Sequence, residues 1–383
     1  MKKCAAVFVL VLLWLGSIEP ALAASPLQET GQADLAPYLD SLDMTEVERA
    51  LPERTRRALR ELGINGPADA ADLQTPQSYV SAIGRLLRQS AKQPFQALAR
   101  VLGAVVLAAF FEALRCAAVP EDGLGQVFGV TAALAVCAML SGPVAGCVTA
   151  AAGAIRGCAS FILSFLPVFT GVLTAAGQPA TAAACNLFLF WMCQAASQFA
   201  ANTLVPMVGL YLAVCVAGAA APELNLAAAA GMVRSVVTWA LGLTMTLFVG
   251  LLTVSSLVSA SGDTLGVKTA RFLLGSFVPV VGGTLSDAFT AAQGCLKLLK
   301  TTLGVYGVLA VGAMFLPTLC QLAAWYLTTN LSAAAGDVLG LTRIGGLLRA
   351  FASALGILLA MVCCFVLLTV VSLTLMMLLG QGG

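Results

Sequence analysis

The sequence predicts an all-α fold, a polytopic helical membrane protein with a cleaved signal peptide, a small exported helical segment, and an internal repeat containing broken or re-entrant helices. Three observations lead there. Of 383 residues, 60% are hydrophobic and only 10% charged; soluble domains carry about a quarter charged, so this chain cannot cover a water-facing surface. Charge is also segregated, with more than half of the Lys, Arg, Asp and Glu residues in the first hundred positions. Apolar stretches of membrane-spanning length then fill the rest. The absence of His excludes His-based hydrolytic triads, His metal ligation and His pH switching. A net charge of +2 carries no nucleic-acid signal.

Residues 1–24 read as a signal peptide. Lys2 and Lys3 form the basic end, Ala5 to Gly16 the apolar core, and Ala21-Leu22-Ala23 the small-residue cleavage site. Residues 25–94 have soluble composition and form the exported helical segment. Asp43 with Glu46 makes a capping-box-like start, and Pro52 opens a helix that passes Arg54, Arg56, Arg57 and Arg60 and stops at Gly63. A second helix starts at Thr75-Pro76, with Val80, Ile83 and Leu87 on one face and Arg85, Arg88 and Lys92 on the other. Large apolar side chains are scarce here, so these helices are expected to lean on a partner or the membrane. The arginine face reads either as solvated or as a contact for anionic lipid head groups.

Residues 95–383 form the polytopic membrane domain. Apolar spans or half-spans cover 95–119, 126–151, 157–176, 183–200, 203–221, 229–258, 303–328 and 353–380, with 268–300 more amphipathic. This amounts to six to eight crossings, and residues 183–221 read equally as one bent helix or a hairpin. Orientation stays open: a cleaved signal exports Arg85, Arg88, Lys92 and Arg100, against the positive-inside rule.

A self-match runs through this domain. Ser164 to Ala176 aligns without gaps to Ser276 to Ala288, pairing Pro167 with Pro279 and Gly171 with Gly283. The same offset pairs Arg156 with Lys268, and the repeat halves cover about 126–221 and 233–332. Pro followed four residues later by Gly in an apolar stretch is expected to break a helix. Irregular backbone survives at membrane depth only when buried in protein or lining a wet cavity. Paired broken segments are the pattern of repeat-built transporters, which makes Pro167, Gly171, Pro279, Gly283 and the adjacent Asp287 the candidate pathway residues.

Ionisable residues in the membrane domain are few, and each needs a partner or water. Glu112 and Arg115, three apart on one helix, form a candidate ion pair. Lys268, Arg271, Lys297 and Lys300 are candidate partners for Asp287, and the spacing of the last two also suits a lipid head-group boundary. Glu223, Arg234, Asp337, Arg343 and Arg349 read as loop and helix-end residues. None of the twelve cysteines falls within residues 25–94, no C-x-x-C occurs, and no metal site or cofactor is expected. No P-loop or dinucleotide fingerprint is present.

Val267-Lys268-Thr269-Ala270-Arg271-Phe272-Leu273-Leu274-Gly275-Ser276-Phe277-Val278-Pro279-Val280-Val281-Gly282-Gly283-Thr284-Leu285-Ser286-Asp287-Ala288, followed by Leu298-Leu299-Lys300-Thr301-Thr302-Leu303-Gly304-Val305-Tyr306-Gly307, resembles the stage III sporulation protein AE family of endospore-forming bacteria. The resemblance is firmest over 265–310 and extends in character to the whole chain. It implies a non-enzymatic subunit of the stage III A complex in the mother-cell-derived outer forespore membrane. The implied partners are the other stage III A subunits, including a separate ATPase, and indirectly the forespore-side stage II sporulation protein Q. Membrane lipid completes the set, and no nucleic acid is expected. The rival reading of the residues is a free-standing, repeat-built secondary transporter for a small solute.

Overall fold

The computed structural model describes residues 44–61, 124–199, 205–220, 231–251 and 282–378, with isolated positions at 64, 66, 99, 202 and 253 and parts of 101–110. The signal peptide, the helix expected over 75–92, Pro279, Lys268, Arg271, Glu112 and Arg115 lie outside the described residues. The described residues form eight helices: α1 (Thr45–Ala50), α2 (Glu53–Glu61), α3 (Leu124–Ala175), α4 (Pro179–Phe199), α5 (Val205–Ala220), α6 (Gly231–Leu251), α7 (Gly282–Val338) and α8 (Thr342–Leu378). Four of them, α3, α6, α7 and α8, contain stretches long and apolar enough to cross a membrane, and α5 holds a shorter apolar helix.

Two helices are far longer than the expected spans. The stretches at 126–151 and 157–176 fuse into α3, with 52 residues, and the later part of 268–300 fuses with 303–328 into α7, with 57. At about 1.5 Å per residue these helices measure about 80 and 85 Å, more than twice the hydrocarbon thickness of about 30 Å. The expected break at Pro167 is absent: α3 runs through both Pro143 and Pro167. A proline removes one backbone donor and crowds the carbonyl four residues earlier, and in the turns that follow hydroxyl side chains add bonds of their own to backbone carbonyls. Thr170 Oγ1 donates to the Pro167 carbonyl at 3.2 Å and Thr174 Oγ1 to the Thr170 carbonyl at 2.8 Å.

The real end of α3 comes six residues after Gly171, at Gly177 (φ 79°). Gly177 N donates to Thr174 O and Gln178 N to Leu173 O, both at 3.0 Å, which is a Schellman cap, and Pro179 then opens α4. The α7–α8 turn repeats this construction: Gly340 (φ 75°) donates to Asp337 O and Leu341 to Gly336 O. Of the self-match, residues 164–175 lie within α3, whereas 276–281 lie outside the described residues and 282–287 lie in α7. In the stretch 183–221 the structure describes α4 as far as Phe199, a helical Asn202 and α5 from Val205, and the residues between them lie outside the described ones.

Packing centres on the α7–α8 hairpin with α3 laid against both. Phe161, Phe165 and Phe169 recur every four residues on one face of α3, and their buried rings stack at 5.5 and 5.6 Å. Gly307 of α7 admits this ladder, since a Cβ there would lie 3.1 Å from the Phe165 ring. Phe315 and Phe365 join α7 to α8, and Phe188 and Phe248 join α4 to α6.

Candidate functional site

The short helices α1 and α2 pack against the long helices of the same chain. Val47, Leu51, Ala58, Leu59 and the hydroxyl of Thr55 are buried, while Glu46, Arg49, Glu53 and Arg57 face outward. α1 packs on α3 and α2 on α7, so the apolar faces find within the same chain the support that their small core lacks. Pro52 approaches Gly157 so closely that a Cβ on Gly157 would lie 3.1 Å from its ring. Tyr306, 2% exposed, lies in the field of Glu48 and Arg56 across this junction. Asp43 of the expected capping box lies outside the described residues. Met44 is the N-cap with no side-chain cap bond, and Glu46 pairs with Arg49 at 3.0 Å instead.

Where α3 turns into α4, the structure builds a buried polar contact between distant parts of the chain. Lys300 Nζ of α7 donates to Gln178 Oε1 at 3.0 Å, with Lys300 only 2% and Gln178 5% exposed. The ammonium thus sits on a neutral amide held by the Gly177 cap. Thr181 and Thr302 are also buried, one each on α4 and α7. The contact ties α7 to the α3–α4 turn, since an ammonium buried in low dielectric needs polar partners. The sequence marked Lys300 as an ionic candidate but attached it to Asp287. Gln178 was missed, although Gly177-Gln178-Pro179 carries the helix-end signal of a Gly followed by a Pro.

The remaining candidates are distributed rather than assembled. Asp287 lies in the second turn of α7 and Gly283 in its first turn; Lys297 is one turn before Lys300. Pro167 and Gly171 both face outward, and a Cβ on Gly171 would meet nothing within 4 Å. These two do not line a buried interface as the broken-helix expectation required, because α3 continues through them and presents their face to the surroundings.

At the opposite end of the bundle, Asp337 Oδ2 accepts from Arg349 Nη1 at 3.0 Å beside the α7–α8 turn. Gly336 and Gly345 let the two backbones approach, and a Cβ on Gly345 would collide with Asp337 Oδ1. Both charges were read as helix-end residues; their pairing comes only from the hairpin.

Long apolar helices, a buried Lys–Gln contact between them and charged short helices seated on their flank define a helical membrane protein. A sequence profile of the Stage III sporulation protein AE family matches residues 69–380, and the chain belongs to that family, a sporulation protein family. It is 26% identical over 273 residues to the Stage III sporulation protein AE of Bacillus subtilis (strain 168), an alignment covering 69% of this chain and 65% of that protein. No solved structure matches the chain.

Proposed function

We propose that the protein is a non-enzymatic, multi-pass membrane subunit of the stage III A secretion-like channel complex, in the mother-cell-derived outer forespore membrane. There it supports forespore development. The observation that carries this reading is the family match, which extends over every described membrane helix. Energy then comes from a separate ATPase subunit, and contact with stage II sporulation protein Q is indirect, through other subunits. Helices longer than a bilayer suit a part that extends toward neighbours in an assembly. The test is isolation of the full-length protein from sporulating cells, with the ATPase and the other stage III A subunits expected to accompany it. Recovery without them would remove the reading.

A free-standing transporter for a small solute is the second reading, favoured by the buried Lys300–Gln178 contact, since intramembrane ionisable residues mark transport paths. The purified protein alone in vesicles would then move a solute down its gradient at a transporter-like rate, and Lys300→Met would stop it.

A further inference from the structure

α4 carries a face that suits neither lipid nor water. Thr181, Ala182, Leu189 and Met192 are buried on one side of the helix, toward α3. On the opposite side Leu187 and Phe190 stand 64% and 45% exposed, with Trp191 63% exposed beside them. Gln194 continues that line one turn after Phe190, and Asn186 lies at its edge. Both are exposed, and neither makes a hydrogen bond among the described residues. A carboxamide turned toward hydrocarbon has its donors and acceptor unmet, while a cluster of large apolar side chains turned toward water is costly in its own way. Rings and aliphatic groups interleaved with amides are the composition of a protein contact, in water or in a membrane. α6 meets α4 at Phe188, on another side of the helix, and leaves this face uncovered.

We propose that this face is the contact between two copies of the chain, with α4 parallel to α4 of the second copy and the two Gln194 carboxamides hydrogen-bonded across the axis. Leu187, Phe190 and Gln194 follow one another at steps of three and four residues, the spacing of a seam between parallel helices. Several features select a second copy as the occupant. α4 has no Asp, Glu, Lys or Arg, so two copies bring no like charges together. A carboxamide is both donor and acceptor and therefore complements itself, as a carboxylate or an ammonium does not. Copies inserted in the same direction in one membrane are related by a twofold axis along its normal, which sets Leu187, Phe190 and Gln194 against their own counterparts at equal depth. Gln194 then fixes the register, because sliding either helix turns its amide onto an apolar side chain.

The test is a charge swap at Gln194. Two differently tagged full-length copies are co-expressed in a bacterium without sporulation genes, and one is withdrawn through its tag in mild detergent. Unsubstituted copies are expected to come out together. Two Gln194→Lys copies, or two Gln194→Glu copies, bring like charges face to face, and recovery of the second copy falls at least about tenfold. A Gln194→Lys copy with a Gln194→Glu copy regains it, which also shows that both variants fold. Failure of the unsubstituted copies to come out together overturns the proposal, as does full recovery of the like-charged pairs or no gain in the mixed pair. A second measurement puts p-benzoylphenylalanine in place of Phe190 and activates it by light in membranes, where an adduct of twice the chain's mass is expected. An adduct with lipid alone, or in sporulating cells with a different protein and not with the chain itself, overturns the proposal. The charge swap contains no other sporulation protein, so its outcome is independent of the stage III A reading.

Discussion

α7 and α6 are both apolar enough to cross a membrane, yet 83% of the most apolar window of α7 is buried inside the protein against 11% for α6. The difference lies in what each sequence places on its faces. α7 carries Gly307 where Phe165 enters, Phe315 against Phe365, and Lys300 over the Gln178 cap. α6 offers Trp239, Leu243, Leu247 and Leu251 outward and reaches the rest of the chain through few contacts such as Phe248 on Phe188. Apolarity therefore assigns a helix to the membrane without saying whether protein or lipid covers it, since lipid tails and leucine side chains are alike in polarity. Small residues and rare polar ones decide that question by permitting close approach or demanding a partner.

The contrast can be broken most directly at the rings. Phe165→Ala empties the middle of the buried ladder and is expected to cost about 3–5 kcal/mol, while Trp239→Ala on α6 costs under about 1 kcal/mol. Unfolding of the two detergent-purified variants in a graded denaturing detergent measures both, and equal losses would mean that α6 is covered by protein. Next comes the glycine pair. Gly307→Ala forces a methyl into a ring that its stacked neighbours hold in place, at about 1–3 kcal/mol. Gly242→Ala, with nothing within 4 Å, is neutral or gains up to about 1 kcal/mol of helix propensity. Thermal melting of the same preparations separates them.

Gln178→Leu takes away one acceptor of the Lys300 ammonium and is expected to cost about 1–3 kcal/mol, with Gln178→Glu retaining stability by supplying a charged acceptor. Limited proteolysis at the α3–α4 turn reads this locally. The smallest effect belongs to the Asp337–Arg349 pair, whose side chains are 38% and 57% exposed. Asp337→Asn costs between about 0 and 1 kcal/mol, and added salt shrinks the difference between wild type and variant.

Much of this architecture was legible. Helical class, membrane residence and the start of α2 after Pro52 follow from composition, apolar run length and proline chemistry. The error at Pro167 came from treating a proline–glycine pair as a helix end on its own. The stronger signal was Gly177 followed by Pro179, because a left-handed residue and a missing donor together stop a helix, whereas a lone proline costs one hydrogen bond within an otherwise continuous helix.

By itself, the sequence determined that the chain is helical, that it resides in a membrane and that it belongs to a sporulation family, because composition and ordered motifs are local properties of the chain. The tertiary structure decided which apolar helices are buried, that α1 and α2 lean on α3 and α7, and that Lys300 rests on Gln178 and Asp337 on Arg349. Such pairings join residues far apart in the chain, and their free energy comes from excluding water or lipid between them. No single segment carries that information.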